Sequence, residues 1–482
     1  MRNDTSLRYA AVGSLIALSI LLLGAVVFYK ERMVFSDAAH IVFYEINQGK
    51  LQIQVERYGA FITQIWPLLG SKLNLSLKAI LILYSLSFNV FYLAVALILF
   101  RFRDYQLVIL MALYFTLFVS DSYFWTNNEV HQGITWMFLM LGTIQYLYTR
   151  FRTHGPLFHL VALVTFIPLA LLAIYSHPLV MISTVFLWVF LALSGHERFF
   201  SRKSSIPYAV IIMAISGLKY FTSKQNWYDG NKFEPVLDAG VPEILGTFTS
   251  AMADNFWQGI IYNYFFLPLL FVAGIYLLVK KREYILATFT VAACVGYFVL
   301  VCLTFHEDRR FYMESEWMTL AILGTAPFVY YVLPQMHWRY AITLLSFILI
   351  VRIGFIGYSS TIFTSRTEKI NGIVERMKQR AITKAIIKRE DDRLENELLM
   401  GWGLPLETLY MSILKKDDTV RTMAYLSQEE IERVDSGSSS SVFLAPFASF
   451  RYQELNRSYF PLDTTTSYSI LVYDDFFLER TH

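Results

Sequence analysis

Long apolar runs alternate with polar connections along the first three-quarters of the chain. Runs near twenty residues recur, the length a helix needs to cross roughly 30 Å of hydrocarbon. The pattern predicts about eleven membrane-spanning helices, near 9–29, 79–100, 106–120, 132–148, 157–175, 178–194, 206–222, 258–279, 285–305, 317–333 and 340–358. Between the fifth and sixth, "YSHPLV" (Tyr175 to Val180) supplies a turn. The period-two alternation of a lipid-facing barrel is absent. The first run, Tyr9 to Phe28, is too long for a signal peptide's apolar core and has no clear small-residue cleavage site, so it is expected to be an uncleaved anchor.

The pattern changes after residue 360. Thr367 to Leu399 is charged and expected to be helical. "SGSSSS" (436–441) reads as a linker, and "SVFLAPF" and "TSYSILVYDDFFL" read as strands. The expectation is a transmembrane module over 1–360 and a small α/β domain over 361–482, with no internal repeat and no binding motif in the tail.

Charge sets the orientation. One series of connections carries Arg2 and Arg8; Arg101 and Arg103; Arg150 and Arg152; Arg198, Arg202 and Lys203; Lys280, Lys281 and Arg282; and Arg339. The other series is longer and mixes bases with acids. The positive-inside rule places the N-terminus in the cytoplasm, and an odd number of spans places the tail outside. The bacterial inner membrane, with a periplasmic C-terminal domain, is the expected location. Only 16% of residues are charged, where a soluble chain carries about a quarter. Cys294 and Cys302 fall within one span and are expected to be inert packing residues.

The chemically suggestive residues therefore gather on the outer side. In the first outer loop Asp37, His40 and Glu45 lie in "DAAHIVFYEI", which reads as an amphipathic helix along the interface. Spacing of three puts Asp37 and His40 on one helix face. A carboxylate there suits a general base for a hydroxyl, or is a solvated acid favouring a helix N-terminus. "RYGAFITQIWPLLG" is a second interfacial segment, whose Arg57 faces either an anionic ligand or lipid phosphate. The second loop holds Asp121, Trp125, Glu129 and His131, the aromatic and polar mixture that a sugar requires, or an ordinary interfacial turn. His177 faces the same side and is equally suited to capping a helix. In "HEDRRFYMESE", Arg309 and Arg310 beside His306 suit phosphate, since guanidinium groups offer forked donors; salt bridging with Glu307, Asp308 and Glu314 is the alternative. Arg352 lies inside the last span and Lys219 near the end of the seventh; each either serves a site or reaches outward to the interface. The loop Thr222 to Trp257 has the length and composition of a lid or substrate wall. No P-loop, nucleophile elbow, zinc helix, cysteine-pair site or nucleic-acid signature occurs.

An N-in first span, a long first outer loop with an Asp on an interfacial helix, about eleven spans and an outward C-terminal domain together resemble the GT-C glycosyltransferases. These include protein O-mannosyltransferases and the aminoarabinose transferase of lipid A. Asp37 in "FSDAAH" matches the family's first-loop acid by position, and "HEDRRFY" resembles its late basic segment. The resemblance implies a sugar donor on polyprenyl phosphate and a lipid, glycan or protein acceptor. It implies Asp37 as base, and Arg309, Arg310, and Arg352 or Lys219 at the donor phosphate. His40, Glu45, Arg57, Trp125, Glu129, His131, His177 and His306 are then expected around acceptor and sugar. Membrane lipids are expected partners, nucleic acid is not, and neither metal nor cofactor is expected. Competing readings are an O-antigen-type polymerase or ligase with an arginine-dominated site, a transporter, and a non-catalytic scaffold acting through its tail.

Overall fold

The computed structural model describes residues 2–127, 129–151, 155–196, 199–232, 234–306, 309–389, 393–435 and 442–477. Arg152 and Arg198 of the basic loops, Glu307 and Asp308 of the late basic segment, and the 436–441 linker lie outside the described residues.

The chain is mostly helical. In order come α1 (Arg2–Val27), α2 (Tyr29–Met33), α3 (Ser36–Gln48), α4 (Phe61–Lys72), α5 (Leu77–Arg101), α6 (Tyr105–Leu117), α7 (Glu129–Arg150), α8 (Pro156–Ile174), α9 (Pro178–Ser194) and α10 (Arg202–Gln225). There follow α11 (Ala251–Tyr262), α12 (Phe266–Lys280), α13 (Tyr284–Thr304), α14 (Arg310–Trp317), α15 (Thr319–Pro327) and α16 (Trp338–Gln379). Among the described residues six helices are long and apolar enough to cross a membrane, or eight if two bent pairs each count as one span. The bends are 88° between α11 and α12 and 43° between α14 and the segment from Thr319. The remaining expected spans fall on α6 and α9, which are apolar but short, and on α7, whose buried face carries His131, Gln132 and Gln145.

Local chemistry sets many of the starts. Ser76, Asp104, Ser201 and Ser250 accept hydrogen bonds from the first-turn N–H groups of α5, α6, α10 and α11. α9 opens on Pro178, whose missing N–H costs nothing at that position. Gly142 lets α7 approach α5: a Cβ there would stand 2.0 Å from a Leu99 methyl.

Several basic loops share one end of the bundle. Arg8, Arg101 and Arg103 line one cavity, and Tyr9 packs on Trp338 at 5.8 Å beside Arg339. The opposite end carries α3, α4 and the C-terminal region.

α16 runs for 42 residues and crosses the expected domain boundary at 360 without a break. It ends where Ala381 takes a φ of +55°. The helix expected over Thr367 to Leu399 therefore stops at Gln379. β1 (Lys384–Lys388) follows, its buried Ile386 and Ile387 suited to a strand covered on both faces. α17 (Leu404–Lys415) leads to β2 (Thr422–Leu426), which the polar and apolar pattern did not announce. β3 (Val442–Ala445) and β4 (Ala448–Arg451) form an antiparallel hairpin. Among the described residues of "TSYSILVYDDFFL" only β5 (Ser469–Leu471) is a strand, and Tyr473–Phe477 turns into a short helix. The sheet is parallel, in the order β2-β1-β5.

Candidate active site

The site begins on α3. Between Ser36 and Asn47 only Asp37, His40, Tyr44 and Asn47 are partly open; every other residue is buried. The spacing of three, four and three makes one stripe along the helix. Asp37 and His40 thus share a face, as their spacing requires. Glu45 does not join them. It is fully buried, neither carboxyl oxygen has a hydrogen-bond partner among the described residues, and burial pushes its pKa up to about 9. It is a neutral acid within the packing at neutral pH, and not an open acceptor contact.

Asp37 accepts a hydrogen bond from Trp125 Nε1 at 2.7 Å. Loss of water raises its pKa to about 6, helped by the charge of Glu129 and opposed by the Trp125 N–H and by Arg57. The carboxylate is therefore more basic than an exposed aspartate, yet ionised near neutrality.

An ion-pair network adjoins it. Arg57 contacts Glu129 at 2.7 Å and Asp229 at 3.1 Å, and its guanidinium lies 5.4 Å from the Tyr228 ring. Lys232 Nζ stands 4.5 Å from the same ring and 5.5 Å from that of Phe305. Lys219 is buried, 3.5 Å from Val55 O and 5.3 Å from the Tyr175 ring. His177 caps α9, its Nδ1 accepting from Leu179 N at 3.2 Å. Burial, followed by the nearby charges of Arg57, Lys232 and Lys219, holds it well below the usual histidine range. Asp229 was not singled out from the sequence; its only mark there is an acid flanked by aromatic and turn residues in "NWYDG".

A second basic group lies across Trp125, whose ring is 5.4 Å from Phe311 and 4.8 Å from Tyr312. Arg310 binds Asp121 through two nitrogens, one at 2.7 Å, and Ser359 Oγ at 3.0 Å. Its side chain remains 30% exposed. Arg309 pairs with Glu395 at 2.8 Å. Glu314 is enclosed by Ser120 N, Ser122 N, Ser122 Oγ and Tyr264 OH.

Arg352 has a different task. Its guanidinium is buried and donates to the carbonyls of Thr116, Val119 and Asn263 and to Ser120 Oγ. A cation at the carboxyl end of α6 satisfies carbonyls that the helix leaves open. His131 is also internal, 3.1 Å from Tyr114 OH. His306 lies apart on an outward cavity of about 400 Å³ with Asp238 and Glu243. The structure thus gathers Asp37, His40, Trp125, Glu129, Arg57 and Arg310 at one end of the bundle. Glu45, His131, Lys219 and Arg352 are withdrawn into the packing.

An apolar cavity of about 240 Å³ opens between α11, α12, α13 and α15, lined by Phe256, Trp257, Phe271, Val295, Phe298 and Leu320 among others. Among the described residues no group of three or more His, Cys, Asp or Glu is placed to hold a metal ion. No protein-family model, no curated protein and no solved structure matches the chain.

Proposed function

We propose that this protein is a membrane glycosyltransferase of GT-C type, moving a sugar from a polyprenyl-phosphate donor to an acceptor hydroxyl at the outer face of a bacterial inner membrane. The observation that carries the reading is Asp37. Glu129, Asp229 and Asp121 nearby are each paired with an arginine, whereas Asp37 is partly open and accepts from one tryptophan N–H. A partly open carboxylate with a pKa of about 6 is matched to proton abstraction at neutral pH.

The step balances without a further reactant. The acceptor oxygen gives its proton to Asp37 and attacks the anomeric carbon. The bond from that carbon to the phosphate oxygen breaks with inversion, and polyprenyl phosphate leaves with the electron pair. Charge grows on the phosphate as this bond breaks, so fixed cations lower the barrier. Arg310 and Arg309, partly exposed beyond their acid partners, are the cations we assign to it. Arg352 supports their surroundings through the α6 carbonyls instead. The aromatic cavity between α11 and α13 suits an isoprenoid tail.

The test is complementation of a strain lacking the protein by Asp37→Asn, with envelope glycans read by mass spectrometry and membrane levels checked in parallel. The expected result is normal insertion, loss of one sugar and accumulation of its lipid-linked donor. Unchanged glycans would overturn the proposal.

A further inference from the structure

The open stripe of α3 does not end at Asp37. It runs over His40 and Tyr44, and the C-terminal region overhangs it with two aromatic side chains. Trp402 stands 6.0 Å and Phe447 6.2 Å from the His40 ring, and they are 5.2 Å from each other. Tyr44 lies on the near side of His40 at 4.5 Å. We propose that this stripe, with Trp402 and Phe447, is a carbohydrate subsite that binds the acceptor as a sugar chain leading away from Asp37. It rests on the transferase reading for the role of Asp37, and on its own geometry for the rest.

Three observations support it. First, Phe447 is 83% exposed at the tip of the β3–β4 hairpin with a φ of +62°. A left-handed conformation is unfavourable for a phenylalanine, and a large exposed ring there gains nothing from burial. The turn nevertheless holds the ring against Trp402 and His40. The hairpin is anchored beneath, where Phe443 and Phe450 pack on Phe43 of α3 at 5.5 and 5.4 Å.

Second, Trp402 is fixed by its neighbours. Gly401 N donates to Glu395 at 2.7 Å, and Gly403 is pressed so closely on the start of α3 that a Cβ would stand 2.7 Å from Ser36 Cα. The aromatic overhang is thus registered to the helix that carries Asp37.

Third, His40 Nδ1 is buried with no hydrogen-bond partner among the described residues, and burial lowers the ring's pKa to about 4. A neutral imidazole has one donor and one acceptor, the complement of a hydroxyl.

Sugars match this combination. Pyranose C–H groups sit against the electron-rich faces of aromatic rings, and hydroxyls meet the partly open Asp37 carboxylate and the neutral His40 ring. An apolar chain would leave both polar groups unmet. A phosphorylated headgroup would require a cation, and His40, Tyr44 and Asn47 of the stripe supply none. Asn456 closes the far end, its N–H donating to Asn47 Oδ1 at 2.8 Å.

The experiment uses the full-length protein in nanodiscs. Neutral hexasaccharides of glucose, mannose and N-acetylglucosamine are titrated one at a time, with saturation-transfer NMR as readout. At least one should bind, and Phe447→Ala should weaken it about tenfold while Phe447→Trp preserves it. His40→Phe should also weaken it. Phe447 is exposed, so its replacement leaves the packing intact, which a thermal melt verifies. If no hexasaccharide binds, or binding ignores Phe447, the subsite is disproved even when Asp37 proves essential for transfer. If farnesol saturates in its place in a Phe447-dependent way, the shelf takes an apolar chain and the proposal fails. Sugar binding that persists while Asp37→Asn transfers normally would remove the transferase reading and leave the subsite standing.

Discussion

Asp37 and Glu407 both meet the first turn of α3, and their surroundings differ in kind. Glu407, on α17, accepts from Ser36 N at 2.8 Å, from Ser36 Oγ at 3.3 Å, and from Arg366 at 2.7 Å on both oxygens. Arg366 in turn donates to the carbonyls of Val34 and Met400 and stacks 4.4 Å from the Phe35 ring. Both side chains are almost wholly buried. Asp37, one residue beyond Ser36, is partly open and accepts from Trp125 Nε1 and from its own backbone N–H, with no arginine paired to it among the described residues. A buried carboxylate whose oxygens are taken up by donors and a guanidinium acts as a fastening. One left short of donors keeps its affinity for a proton. Glu314, with four donors, likewise fastens the second loop to α14.

The comparison is broken most sharply by exchanging chemistry at each acid. Asp37→Asn should reduce transfer by about 10²- to 10⁴-fold, the range of a lost general base, with no change in the thermal melt. Glu407→Ala should do the reverse. Leaving Arg366 buried and unpaired costs about 3–5 kcal/mol, read as a large drop in melting temperature. The double variant Arg366→Met with Glu407→Leu should recover much of that loss, because no uncompensated charge remains.

The pH profile sharpens it further. A base with a pKa of about 6 predicts transfer that falls as pH drops through that value. Trp125 stabilises the carboxylate, so Trp125→Phe should move this acid limb to higher pH. Glu129 opposes ionisation, so Glu129→Gln should move it to lower pH. Stability has the opposite sign. The folded pKa lies above the ordinary 3.8, so the proton is held more tightly in the folded chain, and Asp37's contribution is lost as pH rises through about 6. Shifts in the same direction for both variants would remove the assignment of the limb to Asp37.

At Glu45 the expected effect is on stability alone, not on transfer. Its folded pKa of about 9 means that stability from its bound proton is present below the ordinary 4.5 and declines as pH rises toward 9. Glu45→Gln should therefore match the wild type's melting temperature near pH 4.5 and exceed it increasingly as pH rises toward 9. A large loss at pH 7 would show that the carboxyl has a specific task.

Much of this was legible in the sequence. Apolar runs located the long helices, and the helix with Asp37 and His40 on one face followed from spacing. What escaped were partners far apart along the chain. Ser36 and Glu407 are 371 residues apart, and Arg57 and Asp229 are 172 apart. Spacing rules act within one element and say nothing about acids that meet only after folding. Glu407 had one local signal, a lone acid in the apolar run "GLPLETLYMSIL". Arg352 shows the converse. A cation within an apolar span drew a functional reading, while the carbonyls it satisfies lie at the ends of α6 and α11 and could not be named. β1 was hidden because "KAIIK" follows a strongly helical stretch and its partners are distant strands.

α16 has no proline and runs unbroken for 42 residues, a length of about 63 Å at 1.5 Å per residue. Its first half is apolar, and its last turns lead directly into β1. The C-terminal region is therefore not a bead on a string but the head of a mast. A torque applied to it is felt at the foot, where Trp338 meets Tyr9, and along the way at Arg352 and Arg366. Inserting one residue into the middle of this helix would turn the head by about 100° against α3. The angular register of the mast is what aligns the aromatic overhang with the helix that carries Asp37.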